Sequence, residues 1–296
     1  MYGCIIQGDF VVIDKMAYGA RLPITPLSIT LAGRKRFVDW IQLPYLRLYG
    51  YSAVQRNDVV AFNYALADLE PIDQQEEYIK RCVALPGDTV KLIRGEVWVN
   101  ATRSENKTAY QEYRVKSDQA IDTAGLRRAN ILTGFISETK KELTLYMSPR
   151  QADSLSRIKT TQSVVIHHFS DDYYPPSVYP HHSSIKWNDD FFGPLWIPGK
   201  GDSILLTPEN RLLYQHLIER DEKVALQVRG DTVFIEGKAK KYYCFKKNYY
   251  FLLGDNRHNS IDSRSWGPIS EDHLLGKATF VLNASTGMGR KFHTLR

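Results

Sequence analysis

The chain has 296 residues, of which 43% are hydrophobic and 24% are charged. This hydrophobic share is enough for a sizeable core, and it argues against an intrinsically disordered chain. The length suits two average domains, or one catalytic core with a large insertion. The formal net charge of +6 suits an anionic partner, and composition does not choose between nucleic acid and an acidic membrane surface.

Cysteine content and apolar runs set further bounds. Cys4, Cys82 and Cys244 cannot all pair within one molecule, and none lies in a CxxC motif. The sequence therefore indicates neither a disulfide framework nor a zinc site, and it leaves the redox compartment undecided. No apolar run approaches the roughly 18–20 residues of a membrane helix. No signal peptide precedes the first strand-like residues, so we expect a fragment whose natural beginning lies upstream.

A short phrase recurs along the chain, in which a turn ending in Asp is followed by a β-branched or aromatic run. Gly and Asn tolerate turn dihedrals, the Asp side chain bonds back to the turn, and the apolar run extends as a strand. These turns, at irregular spacing, predict a mainly β protein built from hairpins. They are Gly8-Asp9, Asn57-Asp58, Gly87-Asp88, Gly201-Asp202 and Gly230-Asp231.

Other segments predict loops, an insertion and two helices. Residues 20–55 contain several prolines and are expected to wrap the core as a long loop. Residues 101–195 are richer in Lys, Ser, Thr and Gln, which indicates a subdomain inserted between two halves of a β core. Ser148-Pro149 predicts a helix start, and Thr207-Pro208 predicts a second helix that runs to about Glu219.

One predicted strand carries a lysine of chemical interest. Alternation places Lys80 on the same face as Tyr78 and Cys82. Arg81 points to the other face, together with its neighbour Ile79. If the Lys80 face is buried, its ammonium is disfavoured, its pKa falls, and the neutral amine becomes a usable base near neutral pH. The alternative is an edge-strand lysine whose tip reaches water, which composition alone favours.

A second segment of interest is the dense polar loop of residues 254–264. An apolar strand precedes it and Trp266 follows it. The many short donors and acceptors in such a loop can bond one another and hold a neighbouring side chain in place. The alternative is a surface loop with self-capping Asx turns. The strand and Trp266 favour a loop that lies against the core.

These segments together resemble type I signal peptidases, which are membrane-bound serine proteases with a Ser/Lys dyad. The lysine motif of the family is similar to residues 78–88, and its last motif is similar to residues 254–264. Residues 56–62 resemble the intervening core strand, and residues 187–198 resemble part of the long insertion of Bacteroidetes-type enzymes. The set is specific because its matches fall in the order of the family.

The resemblance implies a mainly β fold, with an antiparallel-sheet, signal-peptidase-like core and an inserted α+β subdomain. The β catalytic core is expected at residues 1–100 and 245–296. The inserted subdomain and the return strands are expected at residues 101–244.

The resemblance also implies roles for the matched residues. Lys80 is expected to be the general base, which deprotonates a serine and returns the proton to the leaving amine. Ser260 and Asp262 are expected to orient the lysine or its neighbours. Arg264 is expected to brace the loop. His258 is a departure, because the family usually shows a carboxylate there, and we interpret it as a tolerated loop change rather than a new catalytic group.

Two further contacts follow from the resemblance. Arg81 is expected to pair with Asp255 and so to tie the lysine strand to the last motif. Tyr78 and Ile79 are expected to contribute to the substrate-binding strand, whose small apolar subsites accept alanine-like side chains of an extended signal peptide. Binding would add the peptide as a strand, so main-chain bonds give affinity and pockets give specificity.

The nucleophile of the family is expected immediately before Met1. Its motif has a serine followed by Met, and residues 1–9 match it from the methionine onward, with Gly3 and Cys4 in place of Pro and Thr. The chain as given is therefore expected to be inactive, either as a fragment cut just inside the active site or as a degenerate relative that begins here. Cys4 lies four residues beyond the expected position, so we expect it to pack rather than attack.

No metal or cofactor is expected. The neighbours in His167-His168 and in His181-His182 would point to opposite faces of a strand, so neither pair chelates one ion together. Residues 238–250 interleave bases and aromatics. This pattern suits single-stranded nucleic acid, a membrane interface, or a hairpin with one solvated face.

The predicted function is therefore that of a signal peptidase I-like serine endopeptidase without a cofactor. The expected partners are signal peptides of exported preproteins and the lipid surface of the bacterial inner membrane, with the catalytic domain on the periplasmic side. No nucleic acid partner is expected, and the oligomeric state is undetermined. The alternatives are a non-catalytic homologue that binds peptides or a partner, and a basic nucleic-acid-binding module.

Overall fold

A computed structural model describes residues 5, 8–31, 34–38, 40–64, 71–104, 109–230, 232–282 and 292–294. The strands before residue 170 are β1 (Phe10–Asp14), β2 (Ser28–Leu31), β3 (Arg34–Phe37), β4 (Val59–Asn63), β5 (Glu77–Ala84), β6 (Thr89–Ile93), β7 (Glu96–Val99), β8 (Thr102–Arg103), β9 (Gln111–Ser117), β10 (Leu132–Ile136), β11 (Glu142–Met147) and β12 (Thr161–Ile166). The later strands are β13 (Phe192–Trp196), β14 (Ser203–Leu205), β15 (Leu226–Arg229), β16 (Thr232–Ile235), β17 (Lys238–Lys240), β18 (Tyr242–Cys244), β19 (Tyr249–Leu253), β20 (Ile269–Ser270), β21 (Leu274–Leu282) and β22 (Phe292–Thr294). The helices are α1 (Thr123–Arg128), α2 (Pro149–Ser156), α3 (Pro208–Asp221) and α4 (Ser263–Trp266), and a 3-10 turn spans Glu271–His273.

The largest sheet has the strand order β1-β21-β4-β5-β19-β20, and β22 also pairs with β21. All pairings in this sheet are antiparallel, so the expected mainly β, antiparallel core is confirmed. Within the sheet, β5 lies between β4 and β19. Its second half, from Arg81 to Ala84, pairs with β19, whereas its first half pairs with β4.

Three of the five predicted turns have the aspartate contact that was expected, and Asp231 of another lies outside the described residues. The Asp58, Asp88 and Asp202 side chains each accept a hydrogen bond from the backbone N–H three residues earlier, at 2.8–2.9 Å. Asn57 has a φ of 72° and Gly87 has a φ of 86°, the left-handed conformation that these two residue types tolerate. Strands β4, β6 and β14 each begin directly after these aspartates.

Both predicted helices begin at the residues expected. Ser148 caps α2 by accepting from the Gln151 N–H, and a reciprocal bond completes a capping box. Thr207 caps α3 by accepting from the Asn210 N–H. The expectation of one long loop over residues 20–55 is wrong in part, because β2 and β3 form a hairpin within it.

The buried apolar side chains of the described residues form three clusters. The largest joins β6, β7, β13, α3 and β19. A second surrounds Cys82 and Trp266 beside the central sheet. The third lies within the sheet β10-β11-β9-β12 and its helices α1 and α2, so the inserted α+β subdomain is confirmed and has a core of its own. The boundaries at residues 100, 101, 244 and 245 stay a prediction.

No helix in the described ranges is both long enough and apolar enough to cross a bilayer.

Candidate active site

The amine of Lys80 lies beside Ser260, at the point where β19 ends and the polar loop begins. Lys80 Nζ donates a hydrogen bond of 2.8 Å to Ser260 Oγ. Burial lowers the pKa of Lys80, and the positive charge of Arg264 adds to this effect, while the Asp262 carboxylate acts against it. The half-buried, hydrogen-bonded amine favours the interpretation as a buried base over a lysine whose tip reaches water.

Gly254 makes room for this contact. A Cβ atom at this position would lie 2.6 Å from the Cβ of Ser260 and 3.4 Å from Lys80 Nζ, and it would overlap Ser260 Oγ. The loop can thus fold back over β5 only because residue 254 has no side chain.

A buried ion pair joins β5 to the loop. Arg81 binds Asp255 through two hydrogen bonds, Nε to Oδ1 at 2.9 Å and Nη2 to Oδ2 at 2.8 Å. The third nitrogen, Nη1, donates to the carbonyl of Asn57 at 2.8 Å. The side chains are only 3% and 0% exposed, so this contact, expected from the resemblance, is present and buried.

A second buried ion pair lies within the loop. Arg264 binds both oxygens of Asp262, at 2.9 and 2.8 Å. It also donates to the carbonyl oxygens of Arg257 and Asp189, at 2.6 and 3.1 Å. Burial acts to raise the pKa of Asp262, but the Arg264 charge outweighs it, so the pKa of Asp262 is lowered and the carboxylate stays ionised. Asp262 Oδ2 also accepts the Gly254 N–H at 3.0 Å.

His258 has a buried acidic partner from a distant segment. Its Nε2 lies 2.9 and 3.0 Å from the two oxygens of Asp190. Its Nδ1 accepts the backbone N–H of Glu112 at 3.3 Å, so the proton of the neutral ring is on Nε2, where it points at the carboxylate. This contact explains how the loop accommodates a histidine where the family usually shows a carboxylate. Nothing in the local sequence indicates a partner 68 positions away.

Tyr78 and Ile79 lie on the same strand as Lys80 but make different contacts. The Tyr78 ring stacks on Phe62 at 5.9 Å and lies 5.5 Å from the Trp266 ring. Its hydroxyl donates to Glu76 at 2.6 Å, and this bond raises the pKa of Tyr78 to about 12. Ile79 is half-buried and lies opposite Ala61 of β4. Their expected role in substrate binding stays a prediction.

Two other sequence patterns have a structural outcome. Within the described ranges, no three His, Cys, Asp or Glu side chains converge as a metal site requires.

In the basic and aromatic stretch of residues 238–250, Tyr243, Phe245 and Tyr249 are buried, whereas Tyr242 and β17 are exposed. The stretch thus has one buried and one solvated face, as in the third alternative, and its buried rings do not stack on nucleic acid or lie at a membrane interface. A membrane contact through its exposed lysines stays a prediction. Met1, Gly3 and Cys4, which match the nucleophile motif, lie outside the described residues.

The family model described as signal peptidase, peptidase S26, matches residues 1–164 and 206–283. The chain therefore belongs to the signal peptidase family of peptidases S26.

Its relatives include signal peptidase I enzymes of several bacteria. The enzyme of Buchnera aphidicola subsp. Schizaphis graminum is 25% identical over 95% of this chain and 64% of its own length. That of Buchnera aphidicola subsp. Baizongia pistaciae is 24% identical over 95% and 66%. The chain thus spans just under two thirds of the length of these relatives. A crystal structure of a signal peptidase I from Enterococcus faecalis covers 77% of this chain, at 16% identity and a TM-score of 0.26.

Proposed function

We propose that this chain is the catalytic domain of a signal peptidase I-like serine endopeptidase with a Ser/Lys dyad, which cleaves signal peptides from exported proteins at a membrane surface. The observation that carries the proposal is the 2.8 Å hydrogen bond between Lys80 Nζ and Ser260 Oγ. The surroundings lower the pKa of Lys80, so its neutral amine is within reach as a base. Membership of the signal peptidase family supports the same chemistry.

Lys80 acts in this proposal as the general base. A neutral amine has two N–H bonds and one lone pair, and the bond donated to Ser260 fixes its orientation. The free lone pair takes the proton of the attacking serine, the serine oxygen adds to the scissile carbonyl, and the proton then passes to the leaving amine. The attacking serine is the residue that the family motif has directly before the methionine matched by Met1.

The supporting residues hold the base rather than react. Arg81 and Asp255 tie the Lys80 strand to the loop through two short bonds. Arg264 and Asp262 close the loop on itself, so Ser260 stays within reach of Lys80. Because each carboxylate is bonded to a guanidinium, neither is expected to compete with Lys80 for the proton.

The substrate is proposed to bind as an added strand along the first half of β5. Among the described residues, no strand pairs with the edge of Tyr78–Lys80 that faces away from β4. A free edge of this kind has unpaired N–H and C=O groups that can receive an extended peptide. A peptide at this edge would pass beside Tyr78 and Ile79 and reach Lys80.

Exposed apolar side chains support a membrane surface as the second partner. Trp40 is 80% exposed, Tyr51 is 74% exposed and Tyr49 is fully exposed, and Phe10 on β1 is 68% exposed. Aromatic side chains of this kind are favoured at a membrane interface. We propose that the domain works at the periplasmic face of the bacterial inner membrane.

The test compares Lys80→Ala with Lys91→Ala, an exposed lysine on β6, in the protein extended by its natural residues before Met1. Purified protein is incubated with a preprotein in detergent, and the mature product is followed on gels. Lys80→Ala is expected to reduce the cleavage rate by about 10²–10⁴-fold, and Lys91→Ala is expected to leave it unchanged. Equal rates in the two variants would remove Lys80 from the mechanism. Binding of signal peptide without any turnover in the unmodified protein would instead favour the non-catalytic homologue.

A further inference from the structure

Three arginines are buried in or beside the polar loop, and one of them has an unsatisfied donor. The Arg81, Arg257 and Arg264 residues are 2%, 4% and 1% exposed. The two loop carboxylates, Asp255 and Asp262, are each bonded through both oxygens to Arg81 and Arg264. Arg257 is left over. Its Nε is buried and meets no acceptor among the described residues. A buried N–H without an acceptor is costly, so an acceptor supplied by a ligand is the natural complement.

Arg257 borders a cleft of about 680 Å³ between the β6–β7 hairpin and the inserted sheet. The volume lies within the range of small-molecule sites, which is about 300–1,000 Å³. Three other residues that line this cleft also have a buried polar atom without a hydrogen-bond partner in the described part of the chain. These atoms are Trp98 Nε1, Gln111 Oε1 and His168 Nδ1, of which the last lies 3.8 Å from Asp190 Oδ1. Four unpartnered polar atoms around one cleft indicate a site for a polar ligand.

The chemistry of the cleft favours an anion. The guanidinium of Arg257 and the indole N–H of Trp98 are donors only, and His168 can donate from Nδ1 in one of its tautomers. Arg94 also lines the cleft and adds positive charge at its exposed side. The acidic residue of the lining, Glu96, is paired with Arg103 at 2.7 Å.

A further carboxylate close to the cleft is already bonded. Asp190 Oδ1 would lie 2.9 Å from a Cβ atom at Gly95, so it is close to the cleft. Both of its oxygens bind His258, and Oδ2 also accepts the Phe169 N–H at 2.7 Å. Among the described residues, no hydrogen bond joins Asp190 to Arg257, so the unsatisfied Arg257 Nε remains available to a ligand.

We propose that this cleft binds a small oxyanion, a phosphate or a carboxylate group, with the Arg257 guanidinium as its buried counter-charge and the Trp98 N–H as a second donor. Both oxyanions accept the paired N–H groups of a guanidinium. The site is separate from Lys80 and does not depend on the proposed peptidase activity. It adjoins the polar loop, because the backbone N–H of Arg257 donates to the Tyr110 carbonyl and the backbone carbonyl of Arg257 accepts from the Arg264 side chain. Occupancy is therefore expected to stabilise the loop.

The test titrates the purified chain of residues 1–296 with inorganic phosphate, and separately with acetate, at constant ionic strength, and follows binding by calorimetry and by the melting temperature. One saturable site is expected. Arg257→Gln is expected to weaken binding by at least about tenfold, and Trp98→Phe, which keeps an aromatic ring but removes the N–H, by about threefold to tenfold. Arg128→Gln is the matched control, because the Arg128 side chain is 73% exposed and does not line the cleft.

The two probes distinguish the sources of the anion. Binding of phosphate alone assigns a phosphate ligand, and binding of acetate as well extends the assignment to carboxylates. No saturable binding of either probe, or equal affinity in the wild type and a folded Arg257→Gln variant, overturns the proposal. Far-UV circular dichroism checks the fold of that variant. If it does not fold, Trp98→Phe decides, and unchanged affinity in Trp98→Phe overturns the proposal.

Discussion

The polar loop of residues 254–264 and the inserted sheet β9–β12 use charge in opposite ways. In the loop, the side chains of Arg264 and Asp262 are 1% and 0% exposed. In the inserted sheet, Lys116 and Glu142 form a pair in which both side chains are 58% exposed. Exposed pairs contribute only about 0–1 kcal/mol, whereas breaking one partner of a buried pair costs about 3–5 kcal/mol. The insertion therefore depends on its apolar cluster, and the loop depends on its ion pairs.

Removal of one buried carboxylate is expected to have the largest effect. Asp255→Ala leaves Arg81 buried without its partner, so the free energy of unfolding is expected to fall by about 3–5 kcal/mol. Urea denaturation followed by circular dichroism measures the change. Glu142→Ala is the matched control, with an expected loss of less than about 1 kcal/mol. Similar losses in the two variants would show that burial does not distinguish the two kinds of pair.

A cavity in the core of the inserted sheet is expected to have a large but local effect. Leu145 is fully buried in the cluster of β9–β12. Leu145→Ala is expected to cost about 3 kcal/mol. Hydrogen exchange should show lost protection in β9–β12 and unchanged protection in β19 and the loop. Equal loss of protection in both regions would mean that they unfold as one unit.

His258 connects the loop to the inserted sheet, because it contacts Asp190 and also accepts the N–H of Glu112 on β9. His258→Asp puts two carboxylates together in a buried site, and we expect a loss of stability of about 1–3 kcal/mol. Asp190→Asn in the same background supplies an amide donor and is expected to restore part of that loss. Urea denaturation of the two single variants and the double variant measures the coupling. Additive losses would show that the two side chains do not interact.

The lowered pKa of Lys80 makes stability depend on pH in the alkaline range. Between the folded-state pKa and the ordinary value of 10.5, the unfolded chain binds a proton that the folded chain does not. Stability from this group therefore rises with pH across that window, by at most about 1.4 kcal/mol per pH unit. Lys80→Met is expected to lose this rise. The measurement is the difference in unfolding free energy between the wild type and Lys80→Met from pH 7 to 10, and parallel curves would contradict a lowered pKa.

Features with local chemistry were predictable from the sequence. Asp58 and Asp88 bond to their own turns, and Ser148 and Thr207 cap their own helices, so a few neighbouring residues are enough to identify them. The Arg81–Asp255 contact was predictable only through the family resemblance, because the two residues are 174 positions apart.

The remaining features depend on long-range packing that leaves no local pattern. The Asp190 partner of His258 and the unpaired Arg257 arise where the inserted sheet meets the loop. The sequence left the buried face of residues 238–250 open for a related reason. Tyr243 and Phe245 point into the core, whereas the adjacent Tyr242 is exposed. Composition alone does not say which face of a strand is covered.

The bare backbone at Gly254 has a practical consequence. A single methyl group there would occupy the space of Ser260 Oγ and push the serine away from Lys80, while every acidic, basic and hydroxyl group of the loop would remain in the chain. The candidate site can thus be silenced without deleting any of its functional groups. On the proposed mechanism, such a protein would still bind peptide at the β5 edge but cleave it more slowly, with the formal charge of the site unchanged.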